Sequence, residues 1–364
     1  MIVALDARMQ QGVGAVVRNV ALRVAPKIEK LILLGNPAEI ETWGTLKGTV
    51  EIVPYVAPIY GWREQVAFPA ARLRGCNLLH VPHFNIPVRT VPCPLICSIH
   101  DVAHLAGVLP ISRGYRLVAR WYYRHAARRS QHIITGSEFS KREIVQRLGV
   151  DPSRVTVILD GVDTQVFFPR RQSEIASVHS TLGVRRPYIL VLGSVRPHKN
   201  VRRVLEAFRK LKESGDVPHQ LVVVGKQEGF RISEELPVLP PEIAQHVLFT
   251  GFLGEKETAA LYSGADLFLF ASLYEGFGLP PLEAMACGAP VAVSRAASLP
   301  EVVAEAGAYF DPYSVDDIAE TIRKLLRDPA ECDRLARAGR ERAAQLTWEK
   351  SAEGHLEVYN SYAR

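Results

Sequence analysis

Cysteine is scarce: five (Cys76, Cys93, Cys97, Cys287 and Cys332) stand in 364 residues, an odd number with no CxxC spacing. This excludes a disulfide framework and points to a reducing, cytoplasmic compartment. No apolar run approaches the roughly 18 residues of a membrane-spanning helix, so none is expected. The opening MIVALDARMQ has no basic n-region or cleavage site, and it reads as a buried strand entering a loop rather than a signal peptide. Two nucleotide fingerprints are also incomplete. Gly12-Val-Gly14 follows the opening strand, but Val17 stands where a dinucleotide fingerprint needs its third glycine. Gly225-Lys226-Gln227 has neither the upstream glycine nor the hydroxyl of a P-loop. An NAD oxidoreductase and a P-loop enzyme are therefore disfavoured. A glycine pair opening a helix still lets backbone N–H groups approach an anion, although a plain loop pair looks the same.

What is present is globular. Hydrophobic residues make up 48% and charged residues 23%, and 364 residues are enough for two domains without a disulfide or metal staple. The net charge of +6 is uneven. The first 168 residues carry 20 Lys and Arg against 12 Asp and Glu, and the remainder carries 24 against 26. Much of the excess is Arg113, Arg116, Arg120, Arg124 and Arg128, one stripe of an expected helix over 113–129, interleaved with Tyr115, Trp121, Tyr122 and Tyr123. Such a stripe suits an anionic membrane surface or phosphorylated lipid, or it is a solvated face beside core aromatics. Nucleic acid is disfavoured because no nucleic-acid motif accompanies it.

Short apolar runs at 2–7, 30–36, 50–55, 77–83, 94–101 and 132–137 read as parallel strands buried on both faces, with helices expected at 13–26, 113–129 and 138–148. The alternation repeats at 187–194, 219–226, 246–252, 265–272, 289–294 and 308–311. The first helix of the second set, 201–212, places Val201, Val204, Leu205, Phe208 and Leu211 on one face, with Asn200 as its expected cap. The polar stretch 170–187 separates the sets and reads as a hinge. The expected class is α/β, two Rossmann-like doubly wound domains facing a central cleft: 1–170, joined by a final helix over 348–364, and 183–347.

Two segments carry chemistry. In GSVRPHKN (193–200) a strand end leads into a helix, with Arg196 and Lys199 flanking its start. Free N–H groups, the helix dipole and two cations suit a diphosphate, whereas two solvated loop cations would be the plain alternative. In Glu275-Gly-Phe-Gly-Leu-Pro-Pro-Leu-Glu283, one acid precedes a Gly-rich turn and the second lies about one turn into a helix. Carboxylates beside an anion cradle are better used as acceptors for sugar hydroxyls than as a hydrolytic pair, or they are surface acids at a helix start. His80, His83, His100, Asp101 and His104 offer a metal alternative, which is disfavoured.

These motifs, with DARMQQGVGAVVRN (6–19), REQVAFP (63–69), HVPHFNIP (80–87), IHDVAHL (99–105), TGSEFSKREI (135–144), GVDTQVFFP (161–169), SLPEV (298–302) and TWEKSA (347–352), resemble those of a bacterial retaining glycosyltransferase of family 4 with the GT-B fold. The resemblance is to mannosyl- and rhamnosyltransferases of polysaccharide and O-antigen assembly. It implies that the second domain binds a nucleotide-sugar, GDP-mannose first and a UDP-sugar or dTDP-rhamnose second. Arg196 and Lys199 then hold the diphosphate with Gly193, Ser194, Gly225 and Lys226. Glu283 accepts from the ribose diol, and Phe252 and Leu253 meet the base. Glu275 grips sugar hydroxyls, and the backbone of Gly276, Phe277, Gly278 and Leu279 meets sugar and phosphate. Gly12 and Gly14 close on the phosphates, and His100 with Asp101 stands near the reacting sugar. Glu64, Gln65 and His83 are the acceptor-side residues. The implied acceptor is a saccharide or a polyprenyl-diphosphate-linked saccharide, at the inner face of the cytoplasmic membrane, with membrane contact through the 113–129 helix. A nucleotide-sugar epimerase and a non-catalytic nucleotide-sugar-binding protein are the rivals from other classes.

Overall fold

The computed structural model describes residues 1–9, 12–225 and 236–363. The chain forms two compact units: residues 1–106, 111–160 and 348–364, and residues 107–110 with 161–347.

The strands of the first unit are β1 (Ile2–Asp6), β2 (Lys30–Gly35), β3 (Val50–Pro54), β4 (Leu78–Val81), β5 (Leu95–Ser98), β6 (His132–Thr135) and β7 (Val155–Val157). They form a parallel sheet in the order β3-β2-β1-β4-β5-β6-β7. Every residue of β4, β5 and β6 is buried, as continuous apolar runs covered on both faces require. Chain order reverses between β1 and β4, where Leu5 pairs with both Leu33 and His80. Ligands bind beyond the carboxyl ends of strands at such a switch point. The final helix, Trp348–Tyr362, packs on this unit. Glu349 pairs with Arg23 at 2.6 Å, and the buried Tyr359 hydroxyl lies 2.8 Å from His80 Nδ1.

The second unit has β8 (Tyr188–Leu192), β9 (Gln220–Val224), β10 (Val247–Gly251), β11 (Leu267–Phe270), β12 (Val291–Ser294) and β13 (Ala308–Phe310), parallel in the order β10-β9-β8-β11-β12-β13. Its switch point lies between β8 and β11. Helix Val201–Glu213 buries Val201, Val204, Leu205, Phe208 and Leu211 against the sheet. Each such side chain contributes roughly 1.5–3 kcal/mol of burial.

Three expectations are corrected. The stretch 170–187 is not a hinge, because Gln172–Leu182 is a helix of the second unit, and the chain changes unit at Asp160/Gly161 and again at Thr347/Trp348. Its polar residues face solvent while Ile175 and His179 are buried, and His179 Nε2 lies 3.2 Å from the Tyr188 hydroxyl. Accordingly the first unit ends at 160 rather than 170, and the second begins at 161 rather than 183. Asn200 does not cap its helix: it is fully buried in a left-handed conformation, and its Nδ2 donates to the Pro312 carbonyl at 2.8 Å.

Candidate functional site

In the second unit, the loops leaving β8 and β11 converge at the switch point. After β8, Gly193 to Arg196 run into a 3-10 turn, Pro197–Lys199, and then helix Val201–Glu213. After β11, the chain passes Glu275 and the turn Gly276–Gly278 before helix Leu279–Ala286, which has prolines in its first turn. The two loops meet in one ion pair, Lys199 Nζ to Glu275 Oε1 at 2.6 Å, with side chains 23% and 16% exposed. The Lys199 ammonium also stands 5.5 Å above the Phe270 ring centroid. The neighbouring His198 carbonyl accepts from Leu273 N at 2.7 Å, tying one loop to the other.

Close backbone approach explains two glycines. Gly225 has φ +149°, and a Cβ there would stand 2.6 Å from the Gly193 carbonyl oxygen. Gly278 has φ +111°, and a Cβ would meet Leu299 at 2.7 Å. Lys226 lies outside the described residues. Phe252, just after the edge strand β10, is 74% exposed.

Glu283 lies inside helix Leu279–Ala286, partly accessible, and burial pushes its carboxyl up to about 7. The buried Tyr262 hydroxyl donates to its Oε2 at 3.2 Å. Ser298 is a residue that sequence reasoning passed over. It is fully buried, and its hydroxyl lies 3.0 Å from the Glu275 carbonyl and 2.6 Å from that of Phe277, so it pins the turn between the two acids. The only sequence signal was a serine in the next crossover, within SLPEV.

In the first unit, the expected residues gather near its own switch point. Glu64 is 1% exposed and fully engaged: Oε2 accepts from Arg8 at 3.1 Å, and Oε1 accepts from Tyr60 N at 3.0 Å and from Asn85 Nδ2 at 2.5 Å. Arg8 also pairs with Asp6 at 2.6 Å and lies 3.9 Å over the Tyr55 ring. Glu64 thus holds backbone rather than facing solvent. Gln65 Oε1 accepts from Val88 N at 2.7 Å, which also fixes a loop. His83 is pushed down to about 3 by burial, with His100, His104 and Arg8 nearby. Its Nδ1 accepts from Asn85 N at 3.1 Å, which leaves Nε2–H to donate to the Tyr60 hydroxyl at 3.0 Å.

His100 Nε2 donates to the Pro82 carbonyl at 3.1 Å, fixing Nδ1 as an acceptor, and burial lowers its pKa. Asp101 Oδ1 accepts from Ala103 N at 2.9 Å and so opens the short helix Ala103–Ala106. Gly12 and Gly14 open helix Val13–Val24, whose first turn carries no acid. Among the described residues no group of three or more His, Cys, Asp or Glu could hold a metal ion. His80 is engaged with Tyr359 and Ser98, and His104 with Tyr123.

The comparisons give the site a family. Residues 34–166 match the model described as Glycosyltransferase Family 4, and residues 173–342 match Glycosyl transferases group 1. The chain belongs to glycosyltransferase family 4. It is 34% identical to MMP α-(1→4)-mannosyltransferase from Mycolicibacterium hassiacum over 73% of this chain and 65% of that enzyme. It is 29% identical to the serotype-specific mannosyltransferase WbdA of Escherichia coli over 75% of this chain. The alignment spans just under two thirds of the first relative, 65%, and about a third of WbdA, 34%. A sucrose-phosphate synthase from Thermosynechococcus elongatus superposes with a TM-score of 0.78 at 19% identity, covering 99% of this chain and 98% of that one. The fold is GT-B, with the two parallel-sheet units described above.

Proposed function

We propose that this family 4 enzyme transfers a hexosyl residue from a nucleotide-sugar to a hydroxyl acceptor with retention of anomeric configuration. Mannose from GDP-mannose is the first donor and a UDP-sugar the second. The observation that carries this reading is the Lys199–Glu275 pair at the β8/β11 switch point, which sets a cation and a hydroxyl acceptor side by side. The similarity to two mannosyltransferases supports the choice of sugar.

In this reading Arg196, Lys199 and the amides of Ser194 and Gly276 to Leu279 receive the diphosphate, with Gly225 leaving room beside Gly193, whose own amide donates to the Val224 carbonyl at 2.9 Å. Glu283 accepts from the ribose, Phe252 and Leu253 receive the base, and Glu275 accepts from sugar hydroxyls. Breaking the glycosyl–phosphate bond puts negative charge on the diphosphate and positive character on the sugar. Preorganised cations and amides stabilise the first, each donor being worth about 10²–10³ in rate. Transfer runs as a front-face displacement through an oxocarbenium-like state, in which the leaving diphosphate takes the acceptor proton. No metal is needed, because Arg196 and Lys199 supply the positive charge. His100 and Asp101 belong to the sugar end.

The acceptor is a saccharide, free or polyprenyl-diphosphate-linked, with His83 the acceptor-side contact that Glu64 and Gln65 hold in place. Among the described residues no helix is long and apolar enough to cross a membrane. Helix Arg113–Arg129 exposes Leu117 (66%), Val118 (56%), Trp121 (51%) and Tyr115 (46%) among its arginines, which suits docking on an anionic cytoplasmic membrane face.

The deciding experiment is a thermal-shift panel of GDP-mannose, UDP-glucose and dTDP-rhamnose in EDTA, followed by transfer assays with the best donor. The largest shift with GDP-mannose and metal-free transfer are expected. Conversion of the donor to another nucleotide-sugar without acceptor, or binding without transfer, would reassign the protein.

A further inference from the structure

Tyr262 and Glu283 belong to different helices, Glu255–Gly264 and Leu279–Ala286. The Tyr262 ring is fully buried and fixed on two sides, edge-on to Phe268 of β11 (centroids 5.1 Å apart, 86°) and near Phe167 at 6.2 Å. A ring held this way has one place to put its hydroxyl, on Glu283 Oε2 at 3.2 Å. Glu283 itself is half-buried. An ionised carboxylate offers about four lone-pair positions, so one phenol leaves room for two further hydroxyl donors.

Burial holds the Glu283 proton up to about pH 7, the phenol pulls against that, and the Glu255 carboxylate on the Tyr262 helix adds to it. Just past the end of Glu283's own helix stands Cys287, whose thiol burial pushes up to about 12, so it stays neutral. Arg170 acts on that thiol. Arg340 of the packed helix Pro329–Gln345 ends against Gly288. Near neutrality Glu283 is therefore shared between its acid and its anion, while a ribose diol, which donates two hydrogen bonds, prefers the anion.

We propose that nucleotide-sugar binding expels a proton from Glu283 to solvent, and that Tyr262 is the positioning residue that aims this carboxylate at the ribose diol. This rests on the donor reading above and deepens it. Donor affinity then rises with pH through the neutral range and levels off once Glu283 is ionised.

The test is isothermal titration of GDP-mannose and of UDP-glucose into the full chain at pH 6 and pH 8.5, in two buffers of different ionisation enthalpy. Each phosphate of these probes carries one ester and the shared anhydride bridge, so its single acidic proton is already lost and neither titrates in this range. The expected result is affinity about tenfold weaker at pH 6, with a proton released there and none at pH 8.5. Glu283→Gln should bind weakly with no pH dependence. Tyr262→Phe should move the affinity midpoint to higher pH and recover most of its affinity at pH 8.5. An equal loss at both pH values in Tyr262→Phe would make the tyrosine merely structural and overturn its role. Wild-type binding with no proton release at pH 6 would overturn the inference while leaving the donor site intact. Binding of neither probe at either pH would instead overturn the donor reading, and this inference with it.

Discussion

Lys199 and Glu275 lie 2.6 Å apart, an ion pair joining the loop after β8 to the loop after β11. Both side chains are largely buried, so the pair is screened less than a surface one and holds the two loops in register. In the proposed donor site, a diphosphate would compete with Glu275 for the ammonium.

The two partners should therefore respond differently to substitution. Lys199→Ala should weaken nucleoside diphosphate binding by tenfold or more. Glu275→Gln should leave that binding unchanged or tighter, because it releases the ammonium, while turnover falls at least a hundredfold. Equal losses of affinity in both variants, measured by calorimetry alongside steady-state kinetics, would remove Glu275 from the sugar.

Ser298→Ala should release the turn between Gly276 and Gly278 without unfolding the unit. The missing hydroxyl leaves the Glu275 and Phe277 carbonyls short of a donor, a cost of about 1 kcal/mol. Turnover should drop at least fivefold while the nucleotide still binds. Wild-type kinetics in this variant would show that the turn holds itself.

Acid should destabilise the protein between pH 6.5 and 4. Burial pushes His83 down to about 3 and His132, His198 and His355 to about 4, and it lowers His80 well below the ordinary range. In this window the unfolded chain takes protons that these folded histidines refuse, so stability falls as pH falls, by up to roughly 1.4 kcal/mol per pH unit for each. Asp160 and Glu283, both pushed up to about 7, act with the opposite sign, since they keep protons that the unfolded chain has already lost. All eleven histidines are lowered, against these two raised carboxyls, so the urea midpoint should drop from pH 7 to pH 5. A rising midpoint would contradict the burial of these rings.

Membrane docking has a direct assay. The wild-type chain should float with vesicles containing anionic lipid and should not float with neutral ones. Trp121→Asp combined with Leu117→Asp should abolish flotation and leave transfer to a water-soluble acceptor intact. Equal recovery on both vesicle types would assign the exposed face of Arg113–Arg129 to something other than a membrane.

Much of the fold was readable before any coordinates. Runs such as KLILLGN and HQLVVVGK are apolar on both sides of the pleat, which only a covered parallel sheet accommodates. Helix Glu138–Leu148 was expected at its observed bounds, and the structure adds its cap, Ser137, whose side chain accepts from Ser140 N. Helix Gln172–Leu182 was not readable, because a thin apolar stripe in a polar segment looks like a linker until a partner helix covers it. Asn200 misled for a related reason: an asparagine before a helix is a cap by local rule, but a buried carbonyl at Pro312 took its side chain.

For this protein, the sequence alone determined the two parallel sheets and which short segments carry charge, because apolar periodicity and Gly-rich turns are local properties of the chain, and its motifs carried the resemblance to the family. Tertiary structure alone decided that Lys199 meets Glu275, that Tyr262 holds Glu283, that Ser298 pins the turn and that Glu64 is turned inward. Those pairings join residues from separate crossovers, and no local pattern records which loops a sheet's strand order brings together.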